Sequence, residues 1–288
     1  MCKTALPVGT TRRVVPRACG SGALVLSMLA AVAPAAHAQG KLEVRYTASL
    51  AGVPIGKGSW TVEIRDGQYS AAAEGRVIGL LRLLGKGEGF AAANGTLTRG
   101  RLSPVAFTSR VISSRRASEV HMALASGAVT ELEAEPMPPT PDRVPLTEAH
   151  RHGIIDPMSA ALVTVGGSAD PLSPEACRHT LPIFDGYQRF DLALSFKRMD
   201  EGRMANGYHG PVVVCSVAYQ PIAGHRPARY AIKYLMEQRD IEIWFAPIAG
   251  TRVLAPFRVS VPTTLGSAVL QATQFEAARA GLSDAKTQ

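Results

Sequence analysis

His150 and His152 are separated by one residue, with Asp156 close behind. On an extended segment, positions i and i+2 point the same way, so two imidazoles there could share a metal ion. The spacing supplies no third ligand, and solvated loop histidines account for the pair equally well. His209 and His225 flank Cys215, an arrangement that would activate the thiol if the cysteine were free. Asp185, Asp191, Asp200 and Glu201 raise the paired-carboxylate chemistry of a glycoside hydrolase, which needs two carboxyls at a set separation across a cleft. Nothing in their spacing sets that separation. Gly85-Lys86-Gly87-Glu88-Gly89 is glycine-rich, but a phosphate cradle needs a helix start behind it. Strand-like residues follow instead, and the run reads as a bulged or closely packed strand. The chain has no G-x-S-x-G, no H-E-x-x-H and no Walker loop. No catalytic residue, metal site or cofactor is expected, and a hydrolase is a less favoured function.

The aromatic residues of the second half offer a different chemistry. Tyr187, Phe190, Tyr230, Trp244 and Phe245 are either ordinary sheet core or the wall of an apolar cavity of the kind that curved sheets hold. In the second case Arg229, Arg252 and Arg258 are placed to meet an anionic head group.

The first 38 residues describe an export signal. Lys3, Arg12, Arg13 and Arg17 stand without an acid before the apolar run 18–33, and Ala36-His37-Ala38 gives an A-x-A end. Cleavage is expected between Ala38 and Gln39, leaving no transmembrane anchor, and a periplasmic location follows. Four cations and no acid leave with the signal, which lowers the net charge from +8 to +4. That small excess over some 250 residues does not argue for a nucleic-acid partner. Cys2 and Cys19 also leave. Cys177 and Cys215 remain as an even pair, 38 positions apart, and in an oxidising compartment they are expected to form a disulfide. Closing a loop of that size stabilises by roughly 3–4 kcal/mol in the chain-entropy model.

The elements that must position these residues are strands. Leu42, Val44, Tyr46, Ala48 and Leu50 alternate with Lys41, Glu43, Arg45, Thr47 and Ser49, the period of a strand with one buried face. Trp60, Val62 and Ile64 alternate again before Asp66-Gly67, a hairpin signal. Strands are expected near 68–77, 85–93, 96–101, 104–112, 116–125 and 128–133, with turns at Asn94-Gly95 and Ser126-Gly127. The second half gives 177–184, 187–198, 211–219, 229–237, 240–246, 252–260 and 267–275, with turns at Asp185-Gly186 and Arg239-Asp240. Asp200-Glu201-Gly202 also reads as a turn. The stretch 77–84, VIGLLRLL, is ambiguous between helix and strand.

Five prolines in 134–148 break the pattern. After them Asp156 is expected as the N-cap and Pro157 as the first residue of a short helix over about 156–165, ended by Gly166-Gly167. The expectation is an all-β protein: a long curved antiparallel meander, an open or spiral barrel, with that helix near the middle. Residues 39–276 form a single β-rich domain with one sheet crossing the break, and 277–288 is a flexible tail.

YTASLAGVPIGKG, DPMSAALVTV, FDGYQRFDLALSF and IEIWFAPIAGTRVLAPFRVSVPT occur in that order over roughly 41–275. They resemble the bacterial periplasmic family called domain of unknown function 3108. The resemblance implies a secreted, all-β envelope protein without an assigned activity, similar in shape to periplasmic lipoprotein carriers and envelope-integrity proteins. Its motifs are structural, and a fold does not fix a function. The function it favours is non-enzymatic envelope maintenance through a lipid or other hydrophobic ligand. The alternative is a structural module that engages an envelope protein partner through its sheet edges.

Overall fold

Four two-residue turns set the geometry of the first half. Ala51-Gly52, Asp66-Gly67, Arg99-Gly100 and Ser126-Gly127 each hold both residues at positive φ, the conformation whose twist matches paired strands. They join β1 (Gly40–Leu50) to β2 (Val53–Arg65), β2 to β3 (Gln68–Val77), β4 (Gly87–Thr98) to β5 (Arg101–Ser113), and β6 (Ala117–Ala125) to β7 (Ala128–Ala134). The computed structural model describes residues 39–79, 85, 87–114, 116–135, 142–167, 170–204 and 207–279, which belong to the unit His37–Gln288. The expected signal peptide with its cleavage at Ala38, most of the 77–84 stretch, part of the proline segment and the tail from 280 onward lie outside the described residues.

The second half adds β8 (Val163–Thr164), β9 (Thr180–Phe184), β10 (Arg189–Arg203), β11 (His209–Ala223), β12 (Glu242–Pro247), β13 (Val253–Thr263) and β14 (Gly266–Ala278). Among the described residues the fourteen strands lie in one antiparallel sheet, ordered β7-β6-β5-β4-β3-β2-β1-β14-β13-β12-β11-β10-β9, with β8 on β13. The sheet is continuous as expected, but not across the proline-rich break. That break joins the two sheet edges, β7 and β9. The halves are fused at the opposite side, where β1 pairs β14 from Lys41↔Ala278 to Leu50↔Ala268.

The sheet is not closed; it curls until one edge overlaps the other. β9 has two covered faces: Leu181 and Ile183 point to the interior cavity, whereas Phe184 packs with Phe107, Val120, Met122 and Leu124 of β5 and β6. The segment between the edges acts as the seam. Ile154 N donates to Gly127 O (2.9 Å), Ile155 N donates to Pro182 O (2.9 Å), and Phe184 N donates to Ile155 O (3.0 Å). The disulfide Cys177–Cys215 is present, with Cα atoms 5.4 Å apart. It ties the turn at Pro174–Cys177 to β11, and both cysteines are fully buried.

Four local expectations are corrected. Asn94-Gly95 is not a turn but lies within β4, at a bulge against β5. Glycine is needed there for close approach, because a Cβ would fall 2.3 Å from Ser103 O, and the turn follows at Arg99-Gly100. Asp200-Glu201-Gly202 lies in β10, paired with Val212, Pro211 and Gly210, because an outward strand face tolerates charge. The strand expected over 229–237 is a helix, α2 (Tyr230–Glu237). Over eight residues the alternation of Tyr230, Ile232 and Tyr234 cannot be told from a helical period, and Tyr230 and Tyr234 stack as i,i+4 neighbours at 6.0 Å. The helix expected over 156–165 is a single turn, α1 (Pro157–Ala160), after which Val163 and Thr164 pair β13 instead.

Either Cys177→Ser or Cys215→Ser removes the same covalent loop, so the two variants are expected to lose similar stability, about 3–4 kcal/mol. Equilibrium denaturation of each checks this, and unequal losses contradict a shared cause.

Candidate functional site

The inner face of the sheet is uneven. On β1, β2 and β3 the inward positions at one end carry Ala48, Gly56, Gly58, Ala73 and Gly75. Their register aligns Tyr46 with Gly58, Gly58 with Gly75, and Trp60 with Ala73. The rest of the wall is Leu181, Ile183, Leu192, Ile243, Phe245, Val259 and Leu270, with Leu270 directly beside Ala48 on the neighbouring strand. Large residues facing large ones fill a barrel, but large residues facing glycine and alanine leave space. The space is a cavity of about 530 Å³, lined almost wholly by apolar atoms. The same barrel is packed solid at its other end by Leu42, Val44, Val62, Ile64 and Ile248.

That other end is also shut by chain crossings. A Cβ on Gly40 would lie 2.6 Å from Thr251 Cγ2, and Gly250 sits against Gln39 and Arg279. The cavity lies toward the end formed by the β1–β2 and β13–β14 turns. There Val53 (52%) and Leu265 (72%) are exposed, and Leu270 reaches both cavity and solvent.

The floor is α1 with its flanks: Pro157, Met158, Ala160 and Ala161 line the cavity. Asp156 fixes this turn, its Oδ1 accepting from Met158 N (3.0 Å) and Ser159 N (2.9 Å). Ser159 and the Tyr69 hydroxyl share a 2.6 Å hydrogen bond, and Tyr46 donates to Pro256 O at 2.6 Å. Burial pushes both phenols up, so they stay neutral. Asp156 is fully buried and its Oδ2 has no partner among the described residues. Burial outweighs the opposing effects of the Ser159 side chain and the backbone N–H groups and raises the carboxyl above the ordinary aspartate range. Trp60, 5% exposed, lines the cavity and carries an indole N–H without a partner among the described residues.

Of the eight residues read from the sequence as cavity candidates, Phe245 lines this cavity and the other seven are not among its lining residues. Trp244 and Arg258 belong to the sheet's other face. There Trp244 lies between the guanidiniums of Arg198 (5.4 Å) and Arg258 (5.0 Å) and donates to Asp200 Oδ2 at 3.2 Å. Beside them, burial alone would raise the Glu242 carboxyl, but Lys197 and Arg198 outweigh it and hold it low. Tyr187 donates to Glu119 O at the seam (3.3 Å), and Phe190 packs on Tyr219. Tyr230 and Arg229 are exposed, in and just before α2. Arg252 donates to the Val165 and Gly166 carbonyls. The signal missed was the small-residue pattern of β1–β3, because an empty wall is written in glycine and alanine rather than in aromatics.

The other chemical candidates are dispersed. His150 Nδ1 accepts from Thr147 N (3.0 Å), and no group of three metal-ligating side chains occurs among the described residues. Asp185 holds the turn before Tyr187, Asp191 pairs with Arg189, and Glu201 pairs with Arg203. Among the described residues, no helix is long and apolar enough to cross a membrane.

The model of the family described as "Protein of unknown function (DUF3108)" matches residues 45–273, so the chain belongs to that family. Among solved structures it is similar to the beta-barrel-like protein of domain of unknown function DUF1849 from Brucella abortus. The identity is 8% and the TM-score 0.42, over 84% of this chain and 98% of that one. No curated protein matches.

A carboxyl with a raised folded-state pKa takes up a proton more readily folded than unfolded, so its contribution to stability declines as pH rises above the ordinary aspartate range. Asp156→Asn keeps a capping oxygen and removes the charge. Denaturation of the two proteins between about pH 4 and 7 is expected to show wild type losing stability relative to the variant as pH rises. A relative gain contradicts the assignment.

Proposed function

We propose that this is an exported periplasmic protein that acts without catalysis, maintaining the cell envelope by binding a lipid or other hydrophobic ligand inside its barrel. The observation that carries this reading is the apolar cavity of about 530 Å³, within the usual range for small-molecule sites. An apolar surface of that extent is costly to leave in contact with water. The basic, then apolar, then A-x-A start of the chain supports export, and the buried disulfide suits an oxidising compartment. Partner binding by strand addition has weaker support. Ile155 bridges β9, and β7 carries Glu131 and Glu133 as exposed charges, which oppose edge pairing.

Native mass spectrometry of the exported, untagged protein, followed by solvent extraction, tests this. A discrete added mass in the lipid range is expected. It should be lost in Ala73→Phe, which fills the cavity from the small-residue wall. An added mass unchanged by that substitution, or no mass under any lipid exposure, overturns the reading.

A further inference from the structure

We infer that Trp60 selects the ligand: the cavity takes an apolar molecule that carries an uncharged hydrogen-bond acceptor, an ester, ketone or ether oxygen, and this oxygen receives the Trp60 indole N–H. The inference rests on the function proposed above and narrows it. Trp60 is 5% exposed and lines the cavity, and its Nε1 has no partner among the described residues. An indole N–H can only donate, and a buried donor without an acceptor is disfavoured. The hydroxyls nearby are engaged. Tyr46 donates to Pro256 O at 2.6 Å, and Tyr69 and Ser159 share a hydrogen bond of 2.6 Å. A pure hydrocarbon in the cavity would leave the Trp60 N–H unpaired, whereas a ligand oxygen satisfies it.

Register places this donor deep. The inward positions of β2 run Gly56, Gly58 and Trp60 along the cavity, then Val62 and Ile64 in the packed end. Trp60 is the last residue of β2 to line the cavity, and it lies about 13 Å along the extended strand from Gly56. Its cross-strand neighbours are Val44, in the packed end, and Ala73, in the small-residue wall. The acceptor therefore sits at the buried end of the ligand. It is also uncharged. A carboxylate or phosphate at that depth would find one donor and no counter-ion. The charged residues bordering the cavity, Lys57, Glu74 and Arg76, are exposed. They alternate with Gly56, Gly58 and Gly75, so the pleat directs their side chains away from the interior.

The test compares methyl palmitate, octadecane (a chain of the same length without the oxygens) and ionised palmitate on the delipidated exported protein. Affinities are measured by native mass spectrometry and probe displacement in wild type and in Trp60→Phe, which keeps a ring and removes the N–H. A melting curve establishes that the variant folds. The ratio of ester to hydrocarbon affinity is expected to fall about two- to tenfold in the variant, the net worth of one hydrogen bond. Taking the ratio removes the effect of the substitution on packing. Palmitate keeps its charged end outside, so its affinity should change only as octadecane's does. A second readout keeps Trp60 in place. The two tryptophans give two indole signals in a proton–nitrogen NMR spectrum, and Trp244→Phe, on the sheet's other face, identifies that of Trp60. Its proton should move downfield with methyl palmitate and not with octadecane. An unchanged ratio in a folded variant, or an unmoved Trp60 signal with the ester bound, overturns the inference but leaves the proposed function standing. A palmitate affinity that falls with the ester's overturns the restriction to uncharged acceptors. Binding of none of the three probes overturns both the inference and the function.

Discussion

The ladder between β1 and β14 is the constraint on which the rest depends. Ten positions of the first described strand pair with the last, from Lys41↔Ala278 to Leu50↔Ala268. Every other neighbouring pair in the sheet order is consecutive in sequence. Without that ladder the chain is two separate meanders, each with a single buried face and no partner to cover it. With it, one sheet is long enough for its twist to bring β7 and β9 back together. The contact spans nearly the whole described chain, so its formation carries the loop-closure entropy of a non-local pairing.

Curling creates a seam, and the seam is resolved by the segment that the prolines set apart. Residues 152–155 lie between the two edges, bridging Ala128 on one side and Ile183 on the other. The next residues make the floor of the cavity. Asp156 is committed to the start of α1 at the expense of an ordinary carboxylate environment. That arrangement fixes the floor against β3 through Tyr69 and Ser159. The disulfide then locks the following turn to β11, so the seam is held from both sides.

The two ends of the barrel show the same backbone put to opposite uses. At one end β1 and β2 present Leu42, Val44, Val62 and Ile64, which pack against Ile248 and Val253. A few residues along the same strands, the inward positions carry Ala48, Gly56 and Gly58, which leave space among Ile243, Val259 and Leu270, and the cavity is the result. The side-chain volume at those inward positions separates a core from a binding site.

The sequence by itself determined the strands, most of the turns, the pairing of the cysteines and the cap of α1. Each rests on residues close in the chain or on simple counting: the period of Leu42, Val44 and Tyr46, the Asp66-Gly67 and Ser126-Gly127 turns, Asp156 before Pro157, and two cysteines left in an even pair. Where local signals were degenerate, the tertiary structure decided. It made Asn94-Gly95 a close approach of strands and gave Tyr230–Glu237 its helical period. It alone decided that β1 meets β14, which edge overlaps which, and where the space lies. Of the aromatics expected to line that space, only Phe245 does. A cavity is a difference in volume between stretches of wall that are distant in sequence, and it appears only when the curl of the sheet brings Gly58 and Gly75 into one pocket with Ile243 and Leu270.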